Sequence, residues 1–357
     1  HEPTAHAPVV VIGAGQAGLS VAYFLRRLGL EPGEDFVVLD RGPGPGGAWQ
    51  HRWESLRIGT AHRIADLPGM AELGLGFADA DREAPARDVV ADAYARYEAH
   101  FGLRVVRPAD VSVVENNGSE LLTTFVDADG EELTVGSEII VNATGTWGAP
   151  FVPWYPGRDR FAGRQLHTRD FSAAQDLAGR RVVVVGGGTS AIGFLLELEQ
   201  APVDWIDETH DGNLEGRLEA VAKQDEAARA GRALPSIVSG TGIPRSRRVQ
   251  QGIERGLLVA QPMFEAIEPD GVRWAPGARA DGVEFVRADA ILWATGFRPE
   301  LRHLAPLKLR EQAGGVVVAQ GTSWRDPRVF FAGYGPQAST IGASRAGRFV
   351  ARQVVAR

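Results

Sequence analysis

A strand-length apolar run that breaks into a glycine turn occurs twice in this chain of 357 residues, and no other feature limits the fold so tightly. The first copy is PVVVIGAGQAG, residues 8–18, and the second is RVVVVGGGTSA, residues 181–191. In the first, Gly13-Ala14-Gly15-Gln16-Ala17-Gly18 leads into LSVAYFLRRLG, whose apolar residues recur at helical spacing and whose Gly29 is a natural C-terminal stop. A second run, DFVVLD, ends in Asp40 with Arg41 behind it. Strand, glycine turn, helix, strand and acid together form the dinucleotide-binding pattern, of which a bare glycine motif is only a part. Gly13 serves the tight turn, Gly15 the close approach of a pyrophosphate, and Gly18 the packing of helix on strand. The helix N-terminus offers unpaired N–H groups to the anion, and the Asp40 carboxylate can accept hydrogen bonds from two ribose hydroxyls.

The second copy repeats the unit. Its valine run is too uniformly apolar for a half-exposed strand, so a buried parallel strand is expected. Gly186, Gly188 and Ala191 then give GxGxxA, with the hydroxyls of Thr189 and Ser190 available to phosphate. AIGFLLELEQ reads as the helix, and VDWIDE as the next strand, ending in Asp207 and Glu208. Two cradles call for two dinucleotides. The expected fold class is α/β, with two Rossmann-like dinucleotide-binding domains.

Composition narrows the partners. The net charge of -7 opposes binding to nucleic acid or to an anionic membrane, and no apolar run reaches the ~20 residues of a spanning helix. HEPTAHAPVV carries acid and proline where an export signal would be basic and then apolar, so a cytoplasmic protein is expected. There is no cysteine in the sequence, which rules out a dithiol relay within the chain and any thiolate metal site; no metal is expected. No motif names an oligomeric interface, and a homodimer is left open.

Behind Asp40 runs RGPGPGGAWQHRW, a Gly/Pro-rich loop, and at this point the sequence resembles the flavin-containing monooxygenase group of two-dinucleotide flavoproteins. The resemblance implies that Gly47, Ala48, Trp49 and Trp53, and beyond them Leu56, lie along bound FAD, with Arg41 at its nucleotide end. VNATGTW at 141–147 and LWATGFRP at 292–299 are similar to two motifs that mark domain crossings in that group, which assigns Ala143, Thr144, Gly145, Thr295 and Gly296 to the cofactor surroundings. FAGRQLHTRDF fits its F-x-G-x3-H-x3-F/Y fingerprint through Phe161, Gly163, His167 and Phe171; His167 is read as a hydrogen-bonded structural residue. Near the end of the chain, Gly333 and Tyr334 close a strand and Thr340 opens a helix. Its dipole would face the reduced ring if that end points at the flavin, although a plain core helix reads the same way.

The resemblance then implies the chemistry. FAD occupies the first cradle, and a nicotinamide visits the second to deliver hydride. In the group, dioxygen adds at flavin C4a and the hydroperoxide oxygenates a small sulfide, amine or ketone. The acids Asp207 and Glu208 stand where NADPH-preferring relatives carry a base, so NADH is expected to serve at least as well as NADPH. Many members place an asparagine where this chain has Gly59, which offers no side-chain donor. Thr60, Arg57 and His62 are nearby substitutes, and slow or uncoupled oxygenation is expected. The alternatives are a dehydrogenase passing electrons to a quinone or other external acceptor, and a redox-sensing protein with little turnover. Motif order places an FAD domain at 1–155 and 292–357, with the nicotinamide domain, 156–291, inserted between its halves.

Overall fold

The computed structural model describes residues 2–186, 188–198, 203–206, 247–256, 258, 261–335 and 340–357. Its helices are α1 (Gln16–Arg27), α2 (Ala86–His100), α3 (Thr189–Glu197), α4 (Arg247–Glu254) and α5 (Thr340–Val355). The strand Val9–Ile12 pairs in parallel with Phe36–Leu39 on one side and Ile139–Asn142 on the other. Val329–Phe331 extends the parallel set, and the short antiparallel strands Val318–Ala319 and Thr322–Ser323 complete a six-stranded sheet. A second sheet repeats the plan: Val182–Val185 lies in parallel between Val203–Ile206 and Ala290–Trp293, and Arg164–His167 flanks the latter.

Both valine runs are apolar throughout because both faces of each strand are covered. Val9 and Val11 pack among residues of α1, α2 and α5, whereas Val10 and Ile12 pack against Val114, Leu121 and Phe125. The last three belong to an antiparallel sheet of Asp110–Asn116, Leu121–Val126 and Glu132–Ser137, edged by Ala5–His6. In the second half Val182 and Val184 meet Phe194 and Leu195 of α3. Val183 and Val185 meet Phe264, Val272 and Trp274, next to the small sheet Ala266–Glu268, Gly271–Arg273, Phe285–Arg287. Each half is thus a helix layer, a parallel sheet and an antiparallel layer, with the glycine turn at the C-terminal edge of the parallel sheet. Ligands of open α/β sheets bind at that edge.

The α5 helix lies directly on α1. Ser20 Oγ donates to the Ser344 carbonyl at 2.6 Å, and a side-chain carbon on Gly347 would sit 2.0 Å from that hydroxyl. Among the described residues no helix is long and apolar enough to cross a membrane.

Candidate dinucleotide-binding sites

Each cradle rests on the same close contact. Gly13 has φ 107°, and a Cβ on it would lie 2.3 Å from the Ala143 carbonyl oxygen. Gly186 has φ 129°, and its Cβ would lie 2.2 Å from the Ala294 oxygen. Only glycine fits such a backbone at such a distance. The two alanines open the two Ala-Thr-Gly motifs and are held in register by N–H bonds of 2.8 Å to the carbonyls of Ile12 and Val185. Gly18 seals the first turn, since its Cβ would fall 1.8 Å from Gly13 O.

Gly15 caps α1 and Gly188 caps α3, neither with a side-chain hydrogen bond, and neither helix carries an acid in its first turn. The first-turn N–H groups therefore remain for an external anion. Gly47 packs onto Gly15, its Cβ position 2.7 Å from Gly15 Cα, so the loop carrying Ala48 and buried Trp49 crosses the first cradle. Asp40 is buried, with Oδ1 3.4 Å from the Ala14 N–H and Oδ2 2.6 Å from Arg107 Nε. Arg107 also forks onto Glu98 at 2.7 and 3.0 Å. Burial pulls the Arg107 pKa down, but the hydrogen bonds to Glu98 and Asp40 outweigh it, and the net shift is upward. A cradle closed to any Cβ, an uncapped helix start and an anchored carboxylate fit a dinucleotide in the first site. Thr189, Ser190 and buried Ala191 begin the helix at the second.

Several motif residues carry loads inside the protein. Thr144 Oγ1 donates to the Glu300 carbonyl at 2.7 Å, and Thr295 Oγ1 donates to the Phe151 carbonyl, so each threonine ties its motif to the segment that follows the other. Backbone bonds from Phe151, Arg298 and Glu300 to Gly296, Ala149 and Gly145 continue this ribbon. Gly145 and Gly296 turn it with φ 63° and 78°. The Arg41 guanidinium forks onto Glu300 at 2.8 and 3.1 Å. Gln16 Nε2 donates to Ala65 O and Ser344 Oγ, which joins α1 to α5. Gly333 comes close to Ala17, with a Cβ–Cβ distance of 3.0 Å on substitution, while the Tyr334 ring turns into the antiparallel core, its hydroxyl accepting from Val316 N–H. Thr340 is the first residue of α5. His167 has both ring nitrogens engaged: Nε2–H donates to Gly296 O at 2.9 Å and Nδ1 accepts from Arg169 N–H, while burial lowers its pKa. That is the structural role read from the fingerprint. Asp207 and Glu208 lie outside the described residues.

Glu197 and Ser55 were not visible as site residues in the sequence, and they redirect Trp53, which the resemblance had placed along FAD. Trp53 and Leu56 are buried, but Trp53 points toward α3: its ring centroid is 4.7 Å from that of Phe194, and Nε1 donates to Glu197 at 2.9 Å. Ser55 Oγ donates to the other Glu197 oxygen at 2.6 Å. Glu197 is thus a latch between the loop after the first cradle and the helix of the second. Beside it opens a cavity of about 360 Å³ lined by Ser55, Arg57, Thr60, Ala173, Ala174, Gln175 and Glu197. Thr60 Oγ1 is within 3.3 Å of Arg57 N and O, a local turn. Gly59 packs on Arg82, whose carbonyl would be 3.1 Å from a Cβ. Removing the latch with Glu197→Ala leaves the buried Trp53 N–H unpaired, a loss of about 2 kcal/mol. Thermal unfolding of the FAD-saturated protein should report it, with Glu197→Gln intermediate; an unchanged midpoint would contradict the latch.

The duplicated cradle, the paired crossovers and the lack of cysteine define a two-dinucleotide oxidoreductase without an internal dithiol. The pyridine nucleotide-disulphide oxidoreductase family profile matches residues 10–221. A flavin-containing monooxygenase from Stenotrophomonas maltophilia is 33% identical, with 99% of each chain covered and a TM-score of 0.77. Bacillithiol disulfide reductase Bdr from Bacillus cereus, 18% identical with a TM-score of 0.73, shares the fold. Among curated sequences, the uncharacterized oxidoreductase CzcO of Bacillus velezensis is 28% identical over 198 residues, 55% of this chain and 53% of that protein. Indole-3-pyruvate monooxygenase YUCCA1 of Oryza sativa subsp. japonica is 30% identical over 192 residues, 53% of this chain and 44% of its own length. The chain spans about half the length of these curated relatives. The chain belongs to the pyridine nucleotide-disulphide oxidoreductase family and, within it, to the flavin-containing monooxygenase group. The cofactors that go with this family are FAD and a reduced nicotinamide nucleotide.

Proposed function

We propose that the protein is a monooxygenase for a small organic molecule: substrate, dioxygen, NAD(P)H and a proton give oxygenated substrate, NAD(P)+ and water. The observation that carries this reading is the intact pair of cradles in a chain without cysteine, 33% identical along its whole length to a flavin-containing monooxygenase. When bound, FAD supplies the route by which nicotinamide electrons reach dioxygen. Gly13, Gly15, Gly18 and the start of α1 would hold its pyrophosphate, Asp40 its ribose, and Gly47, Ala48 and Trp49 its outer face. Gly186, Gly188, Thr189, Ser190 and the start of α3 would hold the nicotinamide nucleotide. These assignments go with an FAD domain of 1–155 and 292–357 and an inserted nicotinamide domain of 156–291.

Gly59 gives the reacting oxygen no side-chain donor, which favours loss of reducing equivalents as peroxide. Asp207 and Glu208 repel a 2′-phosphate by like charge, which favours NADH. One assay tests all of this: oxygen uptake with NADH and with NADPH, with and without a thioether, amine and ketone panel, and with peroxide measured. The expected result is NADH at least matching NADPH in kcat/KM, with product and peroxide together accounting for the NADH consumed. Turnover with a quinone and no oxygen uptake would replace the reading with a dehydrogenase.

A further inference from the structure

Arg52 ends the turn that carries the Gly47–Trp49 loop. Its guanidinium carbon lies 5.4 Å from the Trp49 ring centroid and 5.0 Å from that of Trp147, within cation–π range of both. Its Nε is fully buried with no hydrogen-bond partner. Among the described residues no carboxylate, carbonyl or hydroxyl accepts from its side chain. Two other arginines near the first cradle behave differently: Arg41 is forked onto Glu300 and Arg107 onto Asp40 and Glu98. The neighbours do not neutralise it either. His62 packs against Trp49 at 5.0 Å, and burial together with Arg52 pushes its pKa down to about 4, so it is uncharged at neutral pH. His51 stacks on Trp147 at 6.1 Å, and its pKa is lowered by burial and by Arg41. Burial alone lowers the pKa of Arg52 to about 10, which leaves it a cation.

A guanidinium walled by indoles and lacking a counterion is costly unless something outside the chain completes it. Nε is sealed from solvent, but Arg52 as a whole is only half-buried, and its Nη1 and Nη2, without a partner and not sealed, form the end-on fork by which arginine takes a planar two-acceptor anion. We propose that Arg52 is an anion-binding residue of the flavin cleft, and that its ligand is a planar, delocalised monoanion. Two sources present that chemistry: a substrate carboxylate, and the N1–C2–O edge of the flavin when the ring carries negative charge. The inference rests on the FAD reading of the first cradle.

The test uses purified holoenzyme with Arg52→Gln and Arg52→Lys. Benzoate, with benzamide as its neutral counterpart, is titrated against flavin absorbance and tryptophan fluorescence. Sulfite, whose adduct at flavin N5 places negative charge on the N1–C2–O edge, is titrated separately without benzoate. At least a tenfold weaker response in Arg52→Gln, partly restored in Arg52→Lys, is expected in one series or both. Loss confined to benzoate assigns a carboxylate substrate, and loss confined to sulfite assigns the flavin edge. Benzoate and sulfite binding equal in all three proteins overturns the proposal and leaves Arg52 a packing residue. Failure of the FAD reading itself would look different: wild-type protein that retains no flavin, while benzoate still quenches tryptophan through Arg52.

Discussion

Protein carrying Gly13→Val is expected to purify colourless and to bind added FAD at least ~1,000-fold more weakly than the parent, a loss of about 4 kcal/mol. Two costs combine. A left-handed backbone at a non-glycine residue costs about 1–3 kcal/mol, and overpacking a close-fitted interior costs a similar amount. Here the overpacking is against backbone, because a Cβ at residue 13 would lie 2.3 Å from the Ala143 carbonyl, which the sheet holds in place. The substitution alone would not tell lost binding from lost fold, so Gly15→Ala is the sharper member of the pair. Gly15 has φ -82°, and its nearest neighbour on substitution would be Gly47 Cα at 3.6 Å, an ordinary contact. Gly15→Ala should therefore leave apoprotein unfolding within about 1 kcal/mol of the parent while FAD binding falls steeply. A yellow Gly15→Ala protein with parental FAD affinity would show that the pyrophosphate does not lie against this turn.

The parts of this architecture that were legible in the sequence are those in which one local pattern has one physical solution. The second valine run could be read as a buried parallel strand because no half-exposed strand is apolar on both faces, and both runs prove to be covered by helices on one side and an antiparallel layer on the other. α1 followed from helical periodicity and a glycine stop, and α5 was legible from its opening at Thr340. The antiparallel strands are harder to see: Asp110–Asn116 is largely exposed and Gly271–Arg273 spans only three residues, so neither shows a strong alternation. Pairings between distant segments were invisible. Nothing in HRWES or LLELE marks Glu197 as the acceptor for Trp53 and Ser55, and nothing in ATG says that Thr144 and Thr295 would bind the segments following each other's motif. Tyr334 shows the same limit in reverse. Its place at a strand end suits a cofactor contact, but only the fold shows the ring entering the antiparallel core.

Arg107 is the residue on which the ribose-binding carboxylate depends, and Arg107→Met is the second substitution expected to act strongly. Its guanidinium holds Asp40 Oδ2 at 2.6 Å and both oxygens of Glu98, with the three side chains only 11%, 11% and 13% exposed. Removing one partner from a pair this sheltered costs about 3–5 kcal/mol, because the other charge stays behind without compensation. Here two carboxylates stay behind and repel each other. The apoprotein should lose stability by that order, and the FAD dissociation constant should rise at least about tenfold as Asp40 loses the bond that fixes its orientation. Adding Glu98→Leu to Arg107→Met separates the effects. The double variant no longer confronts two anions, so its unfolding midpoint should recover much of the loss, whereas its FAD affinity should stay weak because Asp40 still lacks its anchor. Recovery of both together would mean that Arg107 matters only to packing. Parental FAD affinity in the single variant would mean that Asp40 holds its geometry unaided, through the longer Ala14 N–H contact alone.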